Sequence, residues 1–360
     1  MRFYRRIGML LVAAGLVFAL AGCKPAKIYI PVISKGFQHQ FWQTVKLGAE
    51  AAAKQYNVEI TFEGPPSEAD IQPQVQMLVN DMAKNPSAIA LAALDTNSVM
   101  DQLNEAIKRK IPIIGFDSGV PNAPQGSIYA TAATNSYNAA GVAADHMFPV
   151  IKDAIEAATA SKPVTIIDFN QDATSMSVTS RGKGFRDEMI KLITSQTKKT
   201  MDDIKVTGNP AYVTSDMPTK GKAVIIDVVV PASPKDADST NSATAFLARF
   251  KSDHIVGIFC SNEGTVKGIL AATNDGAALA AQYKGLVVVG FDAGKAQKAA
   301  IRSKYFLGSI TQDPYQIGFK AVELAYKAIK KQPVADVDTG AKFYDSTNMD
   351  NPDIAQLVYD

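Results

Sequence analysis

The chain has 360 residues, 47% hydrophobic and 20% charged, with a formal net charge of +2. That balance excludes a disordered polymer, and at ~150 residues per domain the length suggests about two domains. Removing the three arginines of residues 1–22 leaves about −1, so no basic surplus argues for nucleic acid.

The first 22 residues read as an export signal rather than as part of the fold. Arg2, Arg5 and Arg6 precede the apolar run "IGMLLVAAGLVFALAG", which is shorter than the ~20 residues of a comfortable membrane span. It closes on Leu20-Ala21-Gly22-Cys23. This resembles the lipobox of bacterial lipoproteins, which implies acylation of Cys23 and a mature chain held on a membrane. A plain signal peptide with an incidental cysteine is the alternative. The other cysteine, Cys260, sits in an apolar run and reads as a small core residue.

From Lys27 onward, short β-branched runs alternate with segments of helical spacing. Strands are expected at 27–34, 58–64, 88–94, 111–117 and 127–133. Helices are expected at 41–56, 68–84 and 98–110, and from Tyr137. In the second half, strands are expected at 164–170, 223–230, 255–262, 286–292 and 307–312. Helices alternate with them, one near Ser180 and one at 240–251. Residues 195–222 are polar and turn-rich and read as a surface excursion. The tail after Gln332 holds no long helix, only room for a short strand or a crossing. The alternation implies parallel sheets with both faces covered, and the strand number fits two doubly wound α/β lobes better than one sheet.

Ligands of such sheets bind beyond the carboxyl ends of the strands. The residues falling there are Ser34, Lys35, Gln38, His39, Phe41 and Trp42; Asp117 and Ser118; Asn170 and Gln171; Asn262 and Glu263; Asp292; and Gln312. Carboxylates grip paired hydroxyls, carboxamides donate and accept, and aromatic faces cover C–H surfaces. That set suits a neutral sugar or polyol. An anion site would show glycine loops, helix N-termini and several arginines. One phrase occurs twice, "IPIIGFDSG" at 111–119 and "LVVVGFDAG" at 286–294, so Asp117 and Asp292 are expected to end one strand in each lobe and face a shared cleft.

The chain resembles the type I periplasmic binding proteins of the ribose and galactose type, the capture components of sugar ABC transporters. The resemblance runs from Lys27 to about Gly340 and rests on "VVVGFDAG", "GSITQDPYQIGFKAVELA", "IFCSNEGTVKGIL" and "SRGKGF". It implies ligand contacts from His39, Phe41, Trp42, Asp117, Arg181, Asn262, Asp292 and Gln312, with Ser118 beside them. Ser118 stands where ribose binders commonly carry Arg, and His39 replaces the usual Asn, which points away from ribose itself. The resemblance also implies three crossings, near Asn135, Gln312 and Gly340. One lobe would then comprise 27–134 with 313–340, the other 135–312 with 341–360.

Structural alternatives stand beside these roles. Asp117 and Asp292 could cap the turns after their strands. Trp42 could be core, Asn262 a helix N-cap, Gln312 a hinge residue and Lys35 a solvated rim lysine. His39, His146 and His254 have no metal-ligand spacing. With no nucleophile elbow, Cys–His pair or phosphate loop, an enzyme is not expected, nor a cofactor. The expectation is a monomeric, lipid-anchored protein facing the periplasm or exterior, which delivers a sugar or polyol to an ABC permease. A sensor for a chemoreceptor or kinase is the alternative role, and a furanosyl signalling molecule or nucleoside the alternative ligand.

Overall fold

A computed structural model describes residues 27–359, so the signal segment and Cys23 lie outside the described residues. The chain opens β1 (Tyr29–Ile33), α1 (Gln40–Tyr56), β2 (Glu59–Glu63), α2 (Ile71–Ala83), β3 (Ile89–Leu91), α3 (Met100–Arg109), β4 (Ile113–Phe116) and β5 (Ile128–Ala133). It continues α4 (Ser136–Ala157), β6 (Val164–Phe169), α5 (Met176–Gln196), β7 (Ile204–Gly208), β8 (Val224–Val229), α6 (Asp236–Ala248), β9 (Ile255–Cys260) and α7 (Glu263–Ala272). Last come α8 (Ala277–Ala280), β10 (Val287–Phe291), α9 (Lys295–Arg302), β11 (Gly308–Gln312), α10 (Pro314–Ile329), β12 (Val337–Asp338), β13 (Ala341–Tyr344) and α11 (Pro352–Ala355).

The strands form two sheets, β12-β5-β4-β3-β1-β2 and β13-β11-β10-β9-β6-β8-β7. Every pairing is parallel except β11 with β13. Strands such as β4, β6 and β9 are buried along almost their whole length, which is why they read as continuous apolar runs and not as alternating ones. The result is two α/β lobes. The chain passes from the first sheet to the second between β5 and α4, returns between β11 and α10, and crosses again between β12 and β13.

Two crossings are marked by helix caps. The Asn135 side chain accepts the Asn138 N–H at the start of α4, and the Asp313 side chain accepts the Gln316 N–H ahead of Pro314 in α10. α1 and α10 pack unusually closely. A Cβ on Gly48 would lie 1.9 Å from the Tyr315 carbonyl oxygen, and one on Gly318 1.9 Å from that of Val45.

One expectation needs correction. Residues 195–222 are not wholly a surface excursion: Ile204–Gly208 forms the edge strand β7. Ile204 and Val206 are buried and Lys205 between them is exposed. Only two side chains face the core there, too short a signal to stand out from the polar sequence around it. Two helix starts also move, α2 to Ile71 from 68 and α6 to Asp236 from 240; acids at 236 and 238 favour the earlier first turn of α6.

Candidate ligand site

A small cavity with about 20 Å³ of free space lies between the lobes at the carboxyl ends of the strands. The first lobe contributes Lys35, His39, Phe41, Trp42, Glu68 and Asp117, the second Val178, Arg181, Asn262, Asp292 and Gln312. Its free space is far below the ~300–1,000 Å³ of pockets for drug-sized molecules: the lobes meet closely here, and a guest enters only when they part.

The repeated phrase builds the same turn twice. Asp117 follows β4 at φ +54° and Asp292 follows β10 at φ +70°, left-handed conformations that aspartate tolerates better than bulkier residues. Both are 5% exposed and both line the cavity. Each is held by a cation of its own lobe. Lys35 Nζ lies 3.2 Å from Asp117 Oδ2, and Arg181 NH1 lies 3.4 Å from Asp292 Oδ2. Gln312 Nε2 donates to Asp292 Oδ1 at 2.6 Å. Arg181 also donates to the Ser261 carbonyl at 3.0 Å and lies 3.9 Å over the Phe291 ring.

Aromatic groups form another wall. Phe41 and Trp42 meet edge to face at 4.9 Å, at the first turn of α1. Trp42 Nε1 donates to Glu68 Oε1 at 2.8 Å. From there a polar chain crosses the cleft: Gln171 Nε2 donates to Glu68 Oε2 at 2.7 Å, and Asn262 Nδ2 donates to Gln171 Oε1 at 2.6 Å. Asn262 Oδ1 meanwhile accepts the Thr265 N–H at 3.1 Å, so Asn262 caps α7 and lines the cavity at once. His39 is buried, with Nε2 3.8 Å from Glu68 and Nδ1 3.9 Å from Glu263.

These neighbours move the titration of the site. Burial pulls the Lys35 ammonium down, but the carboxylates of Asp117, Glu68 and Asp172 together outweigh it and hold Lys35 above its ordinary value. Burial likewise pushes Glu68 up, yet Lys35, His39, Trp42 and Gln171 bring it below the ordinary range. Asp292 stays raised by burial, with Arg181 and Gln312 only partly compensating. Lys35 and Arg181 are thus both committed to carboxylates, which leaves the cavity suited to a neutral guest.

Of the nine candidate ligand contacts, eight line this cavity: His39, Phe41, Trp42, Asp117, Arg181, Asn262, Asp292 and Gln312. Ser118 does not line it; it is fully buried, and its Oγ accepts the Ser177 N–H at 3.3 Å. Lys35 corrects the opposite way. It is not a solvated rim lysine but is 4% exposed, because it spans from Asp117 to Ser177 Oγ at 3.1 Å across the lobes. Glu68 was missed because it lies ahead of α2 and not at a strand end, so no local pattern marks it. Among the described residues no group of histidine, cysteine, aspartate or glutamate side chains could hold a metal ion, and the Cys260 thiol is buried and pushed up by burial alone.

A two-lobed α/β fold whose lobes both supply polar side chains to one interlobe cavity, with an aromatic wall from the first lobe, defines a cleft-type solute-binding protein. The sequence matches the family described as periplasmic binding protein domain over residues 30–333, and the chain belongs to that family. It is similar to a solved protein from Brachyspira murdochii described as an ABC transporter, LacI family transcriptional regulator, at 41% identity and TM-score 0.75, covering 93% of this chain and 99% of that one. It is also similar to an ABC transporter solute-binding protein from Agrobacterium vitis with bound D-fucose, at 26% identity and TM-score 0.73, covering 92% of this chain and 100% of that one. Among curated proteins it is 23% identical to the D-allose-binding periplasmic protein of Escherichia coli (strain K12), over 87% of this chain and 88% of that protein.

Proposed function

We propose that the chain captures a neutral monosaccharide or close polyol in the interlobe cavity and delivers it to the permease of an ABC transporter. The observation that carries this is the convergence of Asp117 and Asp292, one from each lobe, on a cavity walled by Phe41 and Trp42. Arg181 Nε is buried without a hydrogen-bond partner, a costly state of ~1–3 kcal/mol that a hydroxyl of a bound sugar relieves. D-fucose and D-allose, named for two relatives, are the first sugars to test. Residues 27–134 with 313–340 and 135–312 with 341–360 act as the two moving bodies. Ligand touches both only when they close, and so stabilises the closed form.

In the same reading Cys23 is acylated after removal of residues 1–22, and the monomer faces the periplasm or exterior from a membrane surface. The test is a thermal-shift screen over sugars, polyols and nucleosides, followed by titration calorimetry of the hits. A tight ligand raises the melting temperature by mass action. A screen in which no sugar or polyol does so sinks the proposal.

A further inference from the structure

Two helices that meet across the cleft rim lack caps of their own. α1 begins after His39, whose side chain makes no capping bond, and its first turn holds no acid. α9 begins after Gly294, which has no side chain to offer. Each receives its cap from the other lobe. Glu263, the first residue of α7, accepts the Gln40 N–H through Oε2 at 3.0 Å. Gln40 in turn accepts the Lys295 N–H through Oε1 at 2.9 Å. Helix N-termini expose unpaired N–H groups and partial positive charge, so an oxygen placed there is stabilising, a carboxylate most of all. Glu263 is held for the task by Lys267 at 2.9 Å, and Lys267 Nζ reaches across to the Gln38 carbonyl at 3.1 Å. Gln40, Glu263 and Lys267 are not among the residues that line the cavity.

We infer that Gln40 and Glu263 are positioning residues for ligand capture, a reciprocal pair of helix caps that forms only when the lobes close. They set how long a guest is held without choosing which guest. The inference rests on the reading of the chain as a two-lobed capture protein. A contact made only in the closed state shifts the population toward that state by the same amount for every ligand that needs it. A single lost cap corresponds to a Kd weaker by about 2- to 30-fold.

The chain's single tryptophan, Trp42, lines the cavity and reports the test. Gln40→Ala and Glu263→Ala are titrated with D-allose, D-fucose and adenosine, following Trp42 emission at equilibrium and in stopped flow. For every probe that binds the wild-type chain, each variant is expected to raise Kd by one common factor, carried by the dissociation rate. The ligand-free melting temperature stays unchanged, and Glu263→Gln, which keeps an acceptor oxygen without the charge, falls between. An unchanged Kd, a loss that differs from probe to probe, or a lowered ligand-free melting temperature overturns the inference. A wild-type response to adenosine alone overturns the sugar reading instead, and the caps are then judged on adenosine.

Discussion

Replacing Asp292 by asparagine separates the ligand role of this carboxylate from its structural one. Its Oδ1 accepts from Gln312 at 2.6 Å and its Oδ2 faces Arg181 at 3.4 Å. Asparagine keeps the shape and one acceptor oxygen but removes the charge offered to the ligand. A hydrogen bond to a charged group contributes ~1.5–3 kcal/mol, so the variant should bind D-allose about 10- to 150-fold more weakly per hydroxyl released. Titration calorimetry reads that loss, and urea unfolding of the ligand-free protein reads the cost to the fold. That cost is expected at up to ~3–5 kcal/mol, because Arg181 stays buried without its carboxylate, offset in part by the Ser261 carbonyl and the Phe291 ring. An unchanged Kd refutes the reasoning, and so does a loss matched by collapse of the ligand-free protein. Acid gives a second arm. Burial holds the Asp292 carboxyl above its ordinary value, so on acidification it takes up a proton earlier than an ordinary aspartate. Affinity should therefore begin to fall above the usual aspartate range, and Asp292→Asn should remove that step.

Other perturbations test the fold around the site. Glu63 is pushed up to about 7 by its hydrogen bond to Asp81, by burial and by the Asp81 charge, against an ordinary value of 4.5. The native chain thus keeps a proton that the unfolded chain has released, and stability should decline as pH rises between those values. Glu63→Gln should flatten that decline in urea midpoints; an identical pH profile would count against it. Gly318→Ala puts a Cβ 1.9 Å from the Val45 carbonyl oxygen, forcing α1 and α10 apart. We expect a loss of ~1–3 kcal/mol, and an unaltered melting curve would contradict the close packing. Asp313→Ala removes the cap that α10 receives at Gln316, at a cost of ~0.5–2 kcal/mol measurable by the same unfolding assay. No change there would mean that Pro314 and helix packing suffice to start α10.

Much of this was legible along the chain, because the features concerned are local. A strand buried on both faces must be apolar throughout, so β4, β6, β9 and β10 announce themselves, and so does the α/β alternation. A strand-end aspartate after Gly-Phe is a local pattern too, and its two copies mark Asp117 and Asp292 as equivalent points of the two lobes. The three-dimensional arrangement decided the rest. Lys35 looked like a surface lysine because nothing next to it in sequence neutralises it; its partners are Asp117 and Ser177, far along the chain. Glu68 had no strand end to mark it and becomes part of the site only where Trp42 and Gln171 meet it. Ser118 sits beside Asp117, yet its side chain turns away to the first turn of α5. The caps exchanged by Gln40 and Glu263 exist only where the lobes touch. Sequence thus determined which residues stand at the mouths of the strands, since backbone periodicity and burial act over a few residues. Which of them share one cavity, and with what charge partners, was decided by lobe against lobe, since ion pairs and hydrogen bonds depend on distance in space and not on separation along the chain.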